Sequence, residues 1–273
     1  MKERTGYQVE LQKAFSQIEV GVKSVFDSEN YKKYLKTMSK FHRYSINNSL
    51  LIMLQFPEAT KVTGASKWNT MGRTIKKGAK AIKILIPHPY EKEIEVDGEI
   101  VKQQFCYFTL GNVFDVSQTE GEELPSICNE LKENSKEILN LIEKVSKISN
   151  YPIVYWNLKN GSKGYFSNKD NKIVIKKDMS SSQTLKTLVH EIAHSRLHNN
   201  VTITRQQAEI EAESIAFVVC SHFNVDTSNY SFEYIASWSR DKEAKELKEI
   251  LNNIQKEAKT LIEEIELVEN KEE

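Results

Sequence analysis

Apolar residues recur at helical spacing in three stretches near the N-terminus. Tyr7, Leu11, Phe15, Ile18, Val22, Val25 and Phe26 mark one face of an amphipathic helix over about 7–27. Tyr31, Tyr34, Leu35 and Met38 mark a second, shorter helix, whose other face carries Lys32, Lys33, Lys36 and Lys40. Ser45 is placed to cap a third, whose apolar run at 50–54 stops before Pro57. The period then changes. AIKILIP alternates like a strand, and EKEIEV and EIVKQQFCYFTL flank Asp97-Gly98, a dipeptide suited to a two-residue hairpin.

The polar, acidic stretch SQTEGEELPSI interrupts this pattern and predicts a linker, placed at 119–128. A helix over 129–148 follows, with Leu131, Ile138, Leu139, Leu141, Ile142 and Val145 on one face. YPIVYW predicts a strand, and GYFSNKDNKIVIKK a strand pair turning at 168–171. Ser180 and Gln183 have capping-box spacing ahead of a helix over 183–198. Two further helices are expected at about 205–223 and 231–240. From Lys242 the residues Leu247, Ile250, Leu251, Ile254, Ala258, Leu261 and Ile265 share one face, which predicts a long docked helix or a partner helix. The pattern gives an α+β protein of two domains. The first, 1–118, has helices followed by a small antiparallel sheet; the second, 129–241, mixes helices and sheet; 242–273 is a C-terminal amphipathic helix.

Composition narrows the class. Of 273 residues, 28% are charged and 39% hydrophobic, with no apolar run near the ~18 that a membrane helix needs. The N-terminal MKERTGYQVELQKAF has no apolar signal core. Cys106, Cys128 and Cys220 are odd in number and lack C-x-x-C spacing, which fits a reducing cytoplasm. The net charge of zero conceals an asymmetry. Residues 1–118 hold 18 Lys+Arg against 12 Asp+Glu, and residues 119–273 hold 20 against 26. Between residues 61 and 90 there is no acid, while Lys61, Lys67, Arg73, Lys76, Lys77, Lys80 and Lys83 surround Trp68 and three glycines. Cations neutralise phosphates and aromatics stack on unpaired bases, so this window suits nucleic acid. A solvated charged face with Trp68 in the core is the plainer alternative.

The chemistry lies in Leu188-Val189-His190-Glu191-Ile192-Ala193-His194, an H-E-x-x-H sequence. Residues four apart share a helix face, so His190 and His194 can present ring nitrogens to one metal ion, with Glu191 beside them as general base. Leu185, Leu188, Val189 and Ile192 lie opposite and predict packing on the sheet. Without a metal this would be a surface helix with two incidental histidines. A catalytic zinc takes three protein ligands and keeps one position open. His198 continues the face but is eight residues from His190, about 12 Å along the axis. It is rejected as a ligand and assigned to the helix C-terminus, complementing the dipole.

The following helix offers Glu209 and Glu213, four apart on one face, with Glu211 pointing elsewhere. The pattern E-x-x-A-E resembles the glutamate helix of gluzincin-type peptidases. That resemblance implies Glu209 as the third zinc ligand and Glu213 as the brace of a ligand histidine, with the exchanged roles as the alternative. The resulting Zn2+ site would lower the pKa of its water towards ~7 and polarise a carbonyl, while Glu191 passes the water proton to the leaving amine. The strand at 173–175 is expected to align an extended substrate by edge pairing.

A wider resemblance covers about 7–240. Tyr44-Ser45-Ile46-Asn47-Asn48-Ser49-Leu50-Leu51, Phe56-Pro57-Glu58-Ala59-Thr60, Trp68, the run Gly72 to Lys80 and Val113-Phe114-Asp115-Val116-Ser117-Gln118-Thr119 resemble the N-terminal single-stranded-DNA-binding domain of the ArdC antirestriction family. Thr187 to His194, Glu209-x-x-Ala212-Glu213 and Tyr234-Ile235-Ala236-Ser237-Trp238 resemble the zincin-like metallopeptidase domain of ArdC and LtrC-like proteins, related to ImmA/IrrE peptidases. The resemblance implies a protein of a conjugative element that binds single-stranded DNA, protects it from restriction and carries a zinc peptidase with an unknown protein substrate. It makes Asn48, Lys67, Trp68, Arg73, Lys76, Lys77 and Lys80 the DNA-contact candidates, Asn48 being the one best suited to a structural role. Two alternatives remain: an ImmA-like regulatory peptidase whose N-domain binds a protein, and a non-enzymatic DNA-binding antirestriction protein.

Overall fold

The computed structural model describes residues 6–96, 99–124, 131, 135–159, 161–199 and 201–269. Three helices open the chain: α1 (Gly6–Val25), α2 (Ser28–Lys40) and α3 (Ile46–Gln55). Next come β1 (Val62–Thr63), α4 (Ala65–Thr70), β2 (Arg73–Ile75), β3 (Ile82–Val96), β4 (Glu99–Asp115) and β5 (Thr119–Gly121). The remainder comprises α5 (Lys136–Lys147), β6 (Ile153–Trp156), β7 (Gly164–Ser167), β8 (Lys172–Lys176), α6 (Ser181–Leu197), α7 (Arg205–His222), α8 (Ile235–Ser239) and α9 (Ala244–Glu269). The fold is α+β. None of the described helices is long and apolar enough to cross a membrane.

The chain forms two compact units: residues 1–23 with 47–124, and residues 24–46 with 125–273. The sequence boundary at 118 therefore differs from the division in space. Helix α2, expected in the first domain, belongs to the second unit. Its Tyr31 hydroxyl meets Ser214 Oγ of α7 at 2.8 Å, and the Tyr31 ring packs against Phe232 at 5.1 Å.

In the first unit β3 and β4 pair antiparallel from Ile82↔Val113 to Val96↔Glu99, the register expected of a two-residue hairpin. The Asp97-Gly98 turn itself lies outside the described residues. The outer edge of β3 is met by side chains of α3. Asn48 donates to Leu85 O (2.9 Å) and accepts from Leu85 N (2.8 Å), and Gln55 does the same at Lys83 (2.8 and 2.9 Å). Two amides at successive outward positions thus replace a missing strand and protect an edge.

Thr119 to Gly121, expected in the linker, instead form β5 paired to β2. The cause is Arg73: it donates from Nε to Thr119 Oγ1 (2.7 Å), from Nη2 to Thr119 O (3.1 Å), and from Nη1 to Glu122 O. Gly121 has φ 131°, and a Cβ there would lie 2.2 Å from Gly72 O, so only glycine fits. The rest of the expected linker, 125–128, lies outside the described residues.

In the second unit the sheet order is β6-β8-β7, with β6 parallel and β7 antiparallel to β8. The helix expected at 129–148 begins only at Lys136, capped by Ser135 Oγ on Ile138 N. Leu131 instead forms a parallel bridge with Val225. The C-terminal helix α9 buries Leu247, Ile250, Leu251, Ile254, Ala258, Leu261 and Ile265 against its own unit, so it is docked. Arg196 of α6 holds it through Glu264 (2.7 Å) and Glu257 (3.4 Å).

Candidate metal centre

Helix α6 starts where Ser180 Oγ accepts from Gln183 N at 3.4 Å. The expected capping box is only half formed, because the Gln183 amide turns to Thr187 and Lys163 instead. Leu185, Leu188, Val189, Ile192 and Ala193 are buried as α6 packs on β7, β8, α5 and α7. Ala212 and Ala216 of α7 are fully buried, small enough to bring the two helices close.

That packing sets three side chains around one point. His190 Nε2 and His194 Nε2 are 3.0 Å apart, and Glu209 Oε2 lies 3.5 and 3.7 Å from them. The three donor atoms all lie within 4.8 Å of one another. Such a set can close on a single ion at the ~2.0–2.2 Å bonds of zinc after small adjustments. A nitrogen and carboxylate donor set suits a first-row divalent metal. Glu213 Oε2 stands behind, 3.3 Å from His190 Nδ1. Burial alone would push the His190 imidazole down, but Glu209 and Glu213 outweigh it and lift it to about 9. The same pair of histidines holds the Glu209 carboxyl far below its ordinary value. Glu191 is 6% exposed, and its burial raises its carboxyl, partly offset by His190, His194 and the Phe166 N–H. A carboxylate so raised is better matched to accepting a proton near neutral pH.

Glu211 and His198 take positions that sequence spacing did not suggest. His198 is the C-cap residue of α6, yet its ring does more than face the helix dipole. Its Nδ1 is 2.9 Å from His194 Nδ1, and its Nε2 is 3.0 Å from Glu211 Oε2. Glu211, expected to point away, is 2% exposed and also accepts from Gln207 (3.1 Å) and from Asn253 of α9 (3.3 Å). If His194 Nε2 offers its lone pair, Nδ1–H donates to His198, and His198 Nε2–H donates to Glu211. Every proton in that chain has a partner, which fixes the His194 tautomer and ring plane.

Beside His190 and Glu191 lies a cleft of about 390 Å3. Its wall includes Lys163 and Gly164 of the β7 side, Lys186 of α6 and Tyr230. The strand at 173–175 is not the substrate-pairing edge expected of it. Strand β8 is the central strand, flanked on both sides, so its backbone has no free edge; β7 is the outer strand next to the cleft.

The DNA-contact candidates divide. Trp68 is fully buried and its indole donates to Phe114 O at 2.9 Å, so it cannot stack on a base. Asn48 is buried on Leu85, and Arg73 is occupied by β5 and Glu122. Lys76 is exposed with its ammonium on Ser117 O (2.8 Å), and Lys67, Lys77 and Lys80 are exposed. The end of β4 is also structural. Asp115, 1% exposed, accepts from Thr60 N (2.7 Å), Lys61 N (2.9 Å), Ser117 N (2.9 Å) and Ser117 Oγ (2.7 Å).

Comparison with known proteins finds two successive family matches, the first of which runs through α2. Residues 10–114 match the model of the N-terminal domain of the anti-restriction factor ArdC, and residues 150–254 match the IrrE N-terminal-like domain of peptidase family M78. The uncharacterised protein pXO2-81 of Bacillus anthracis is 30% identical over an alignment covering 75% of this chain; the chain spans 42% of that protein. Two crystal structures of the antirestriction ArdC protein from plasmid R388 share the fold. The metal-free one has TM-score 0.54 at 17% identity, and the Mn(II)-bound one 0.50 at 18%, each covering 82% of this chain and 84% of the other.

Proposed function

We propose, for a chain that matches the ArdC-like family through both of its domains, that it hydrolyses peptide bonds with a divalent metal and binds single-stranded DNA through its N-terminal domain. One observation carries the peptidase half: His190, His194 and Glu209 converge within 4.8 Å beside a half-enclosed cleft that Glu191 also lines. A Mn(II)-bound structure of the ArdC protein from plasmid R388 is in keeping with a divalent ion in this fold, and the two-histidine, one-carboxylate set favours zinc. The bound metal would supply an acidified water and polarise the scissile carbonyl.

The remaining work falls to the protein. Glu191 accepts the proton of the attacking water and returns it to the leaving amine. Glu213 stands at ion-pair distance from His190 Nδ1, and Glu211 holds His194 through His198, so the His194 imidazole keeps its Nε2 lone pair towards the centre. The outer edge of β7 offers backbone groups to an extended peptide, with Gly164 keeping that edge close to the cleft. The DNA half rests on the family match and on the exposed Lys67, Lys77 and Lys80, with Lys76 beside them; Trp68, Asn48 and Arg73 are assigned to the fold. The biological setting expected of such a pair is protection of DNA entering by conjugation.

The test is Glu191→Gln. It is expected to bind metal like the parent and to lose peptidase activity by at least about a hundredfold. Full activity in this variant would refute the mechanism.

A further inference from the structure

The cleft beside the centre is polar and carries two cations. Lys186 lies four residues before His190 on α6, so it shares the histidine face about 6 Å earlier along the axis. It is 9% exposed and lines the cleft. Its ammonium stands 5.3 Å from the centre of the Tyr230 ring; among the described residues no carboxylate is at ion-pair distance, and Asp226 acts on it electrostatically from farther away. Lys163 lines the same cleft from the β7 side, its ammonium 2.9 Å from the neutral Gln183 Oε1. The two acids of the cleft are otherwise engaged: Glu213 faces His190 Nδ1, and Glu191 sits among the histidines. An ammonium facing a cleft with no carboxylate at ion-pair distance can give an entering anion a charge-assisted hydrogen bond.

We infer that Lys186, aided by Lys163, receives a carboxylate of the substrate next to the scissile bond. This rests on the peptidase reading and adds the substrate class: a peptide with an acidic group within about two residues of the cleaved bond, since an extended chain advances about 3.3 Å per residue. The carboxylate comes from a Glu or Asp side chain or from a free C-terminus. Apolar side chains have little to gain in a cleft walled by lysines, Gln183, Thr187 and Asn229.

The probes are succinic monohydroxamate, which joins a metal-binding group to a carboxylate, and its neutral amide counterpart. Their binding to the full-length, metal-loaded protein is measured by calorimetry. The acid is expected to bind about 10- to 100-fold more tightly, as for a charge-assisted hydrogen bond in a partly buried site. Lys186→Met should abolish that preference at unchanged metal content, Lys163→Met should reduce it, and Lys186→Arg should retain part. Equal affinity for the two probes, or a preference that survives Lys186→Met, overturns the assignment while leaving the peptidase reading standing. Binding of neither probe overturns both. A quenched-fluorescent peptide panel separates the sources. Preference for an internal Glu over Gln in C-terminally amidated peptides identifies the side chain, and preference for a free C-terminus over the amide identifies the terminal carboxylate. Cleavage indifferent to both overturns the inference.

Discussion

Replacing His198 with alanine should weaken metal binding although His198 is not itself placed as a ligand. The substitution removes the acceptor 2.9 Å from His194 Nδ1 and leaves Glu211, 2% exposed, with Gln207 and Asn253 as its donors among the described residues. Loss of an outer hydrogen-bond partner of a ligating histidine costs about 10- to 100-fold in metal affinity. That corresponds to about 1.4–2.7 kcal/mol. The chain from His194 to Glu211 is largely sequestered from water, so the upper half of that range is expected here. The metal-free variant should also lose about 1.5–3 kcal/mol of folding stability, because a buried carboxylate forfeits one charged hydrogen bond. Zinc affinity is measured by competition with a chromophoric chelator, and stability by urea unfolding of the metal-free protein. Glu211→Gln, which keeps the shape and loses the charge, should fall between parent and His198→Ala. A His198→Ala protein that is folded and binds zinc within about twofold of the parent would refute the reasoning, since even the weakest expected effect is tenfold.

Three further outcomes follow. Trp68→Ala should destabilise the first unit by about 3–5 kcal/mol in thermal unfolding, whereas Lys77→Glu and Lys80→Glu should leave stability intact and each reduce the salt slope of oligonucleotide binding by about one. Asp115 is pushed up by burial but pulled down further by its bonds from Ser117, Thr60 and Lys61, so its folded carboxyl lies below its ordinary value. Its stabilisation is therefore complete above the unfolded value near ~4 and lost as pH falls through the folded one, and Asp115→Asn should flatten the acid limb of the unfolding profile. His190 stands at about 9 in the metal-free protein and binds metal only when neutral. Apparent metal affinity should thus rise about tenfold per pH unit up to that point and level above it, and a flat profile in chelator competition would contradict the shift.

Much of the metal centre was legible because a helix converts spacing into geometry. Two histidines four apart, and two glutamates four apart on the next helix, need only face one another to meet. The same rule misjudged Glu211, two residues from Glu209. Its partner is His198, and the place where those side chains meet depends on how α6 crosses α7 and on where α6 ends. Asn253 joins from 42 residues away, which no local pattern reveals. The basic window misled in another way. Charge composition shows that lysines are present but not which aromatic has a backbone partner, and the Trp68 indole finds one at Phe114, 46 residues on. Likewise TEG after residue 118 reads as linker until Arg73 is brought against it. Hairpin register and the amphipathic faces of α1, α2 and α9 were readable from period alone, whereas the membership of α2 in the second unit rests on long-range contacts such as Tyr31 with Ser214.

On the proposed function, His190, His194 and Glu209 together hold one catalytic divalent metal. Metal content of the full chain, loaded with zinc, desalted and analysed by plasma mass spectrometry beside its Glu209→Ala variant, tests it most directly. The parent should hold about one zinc per chain and the variant nearly none. A parent that holds no zinc, or a variant that retains it as fully as the parent, would contradict it.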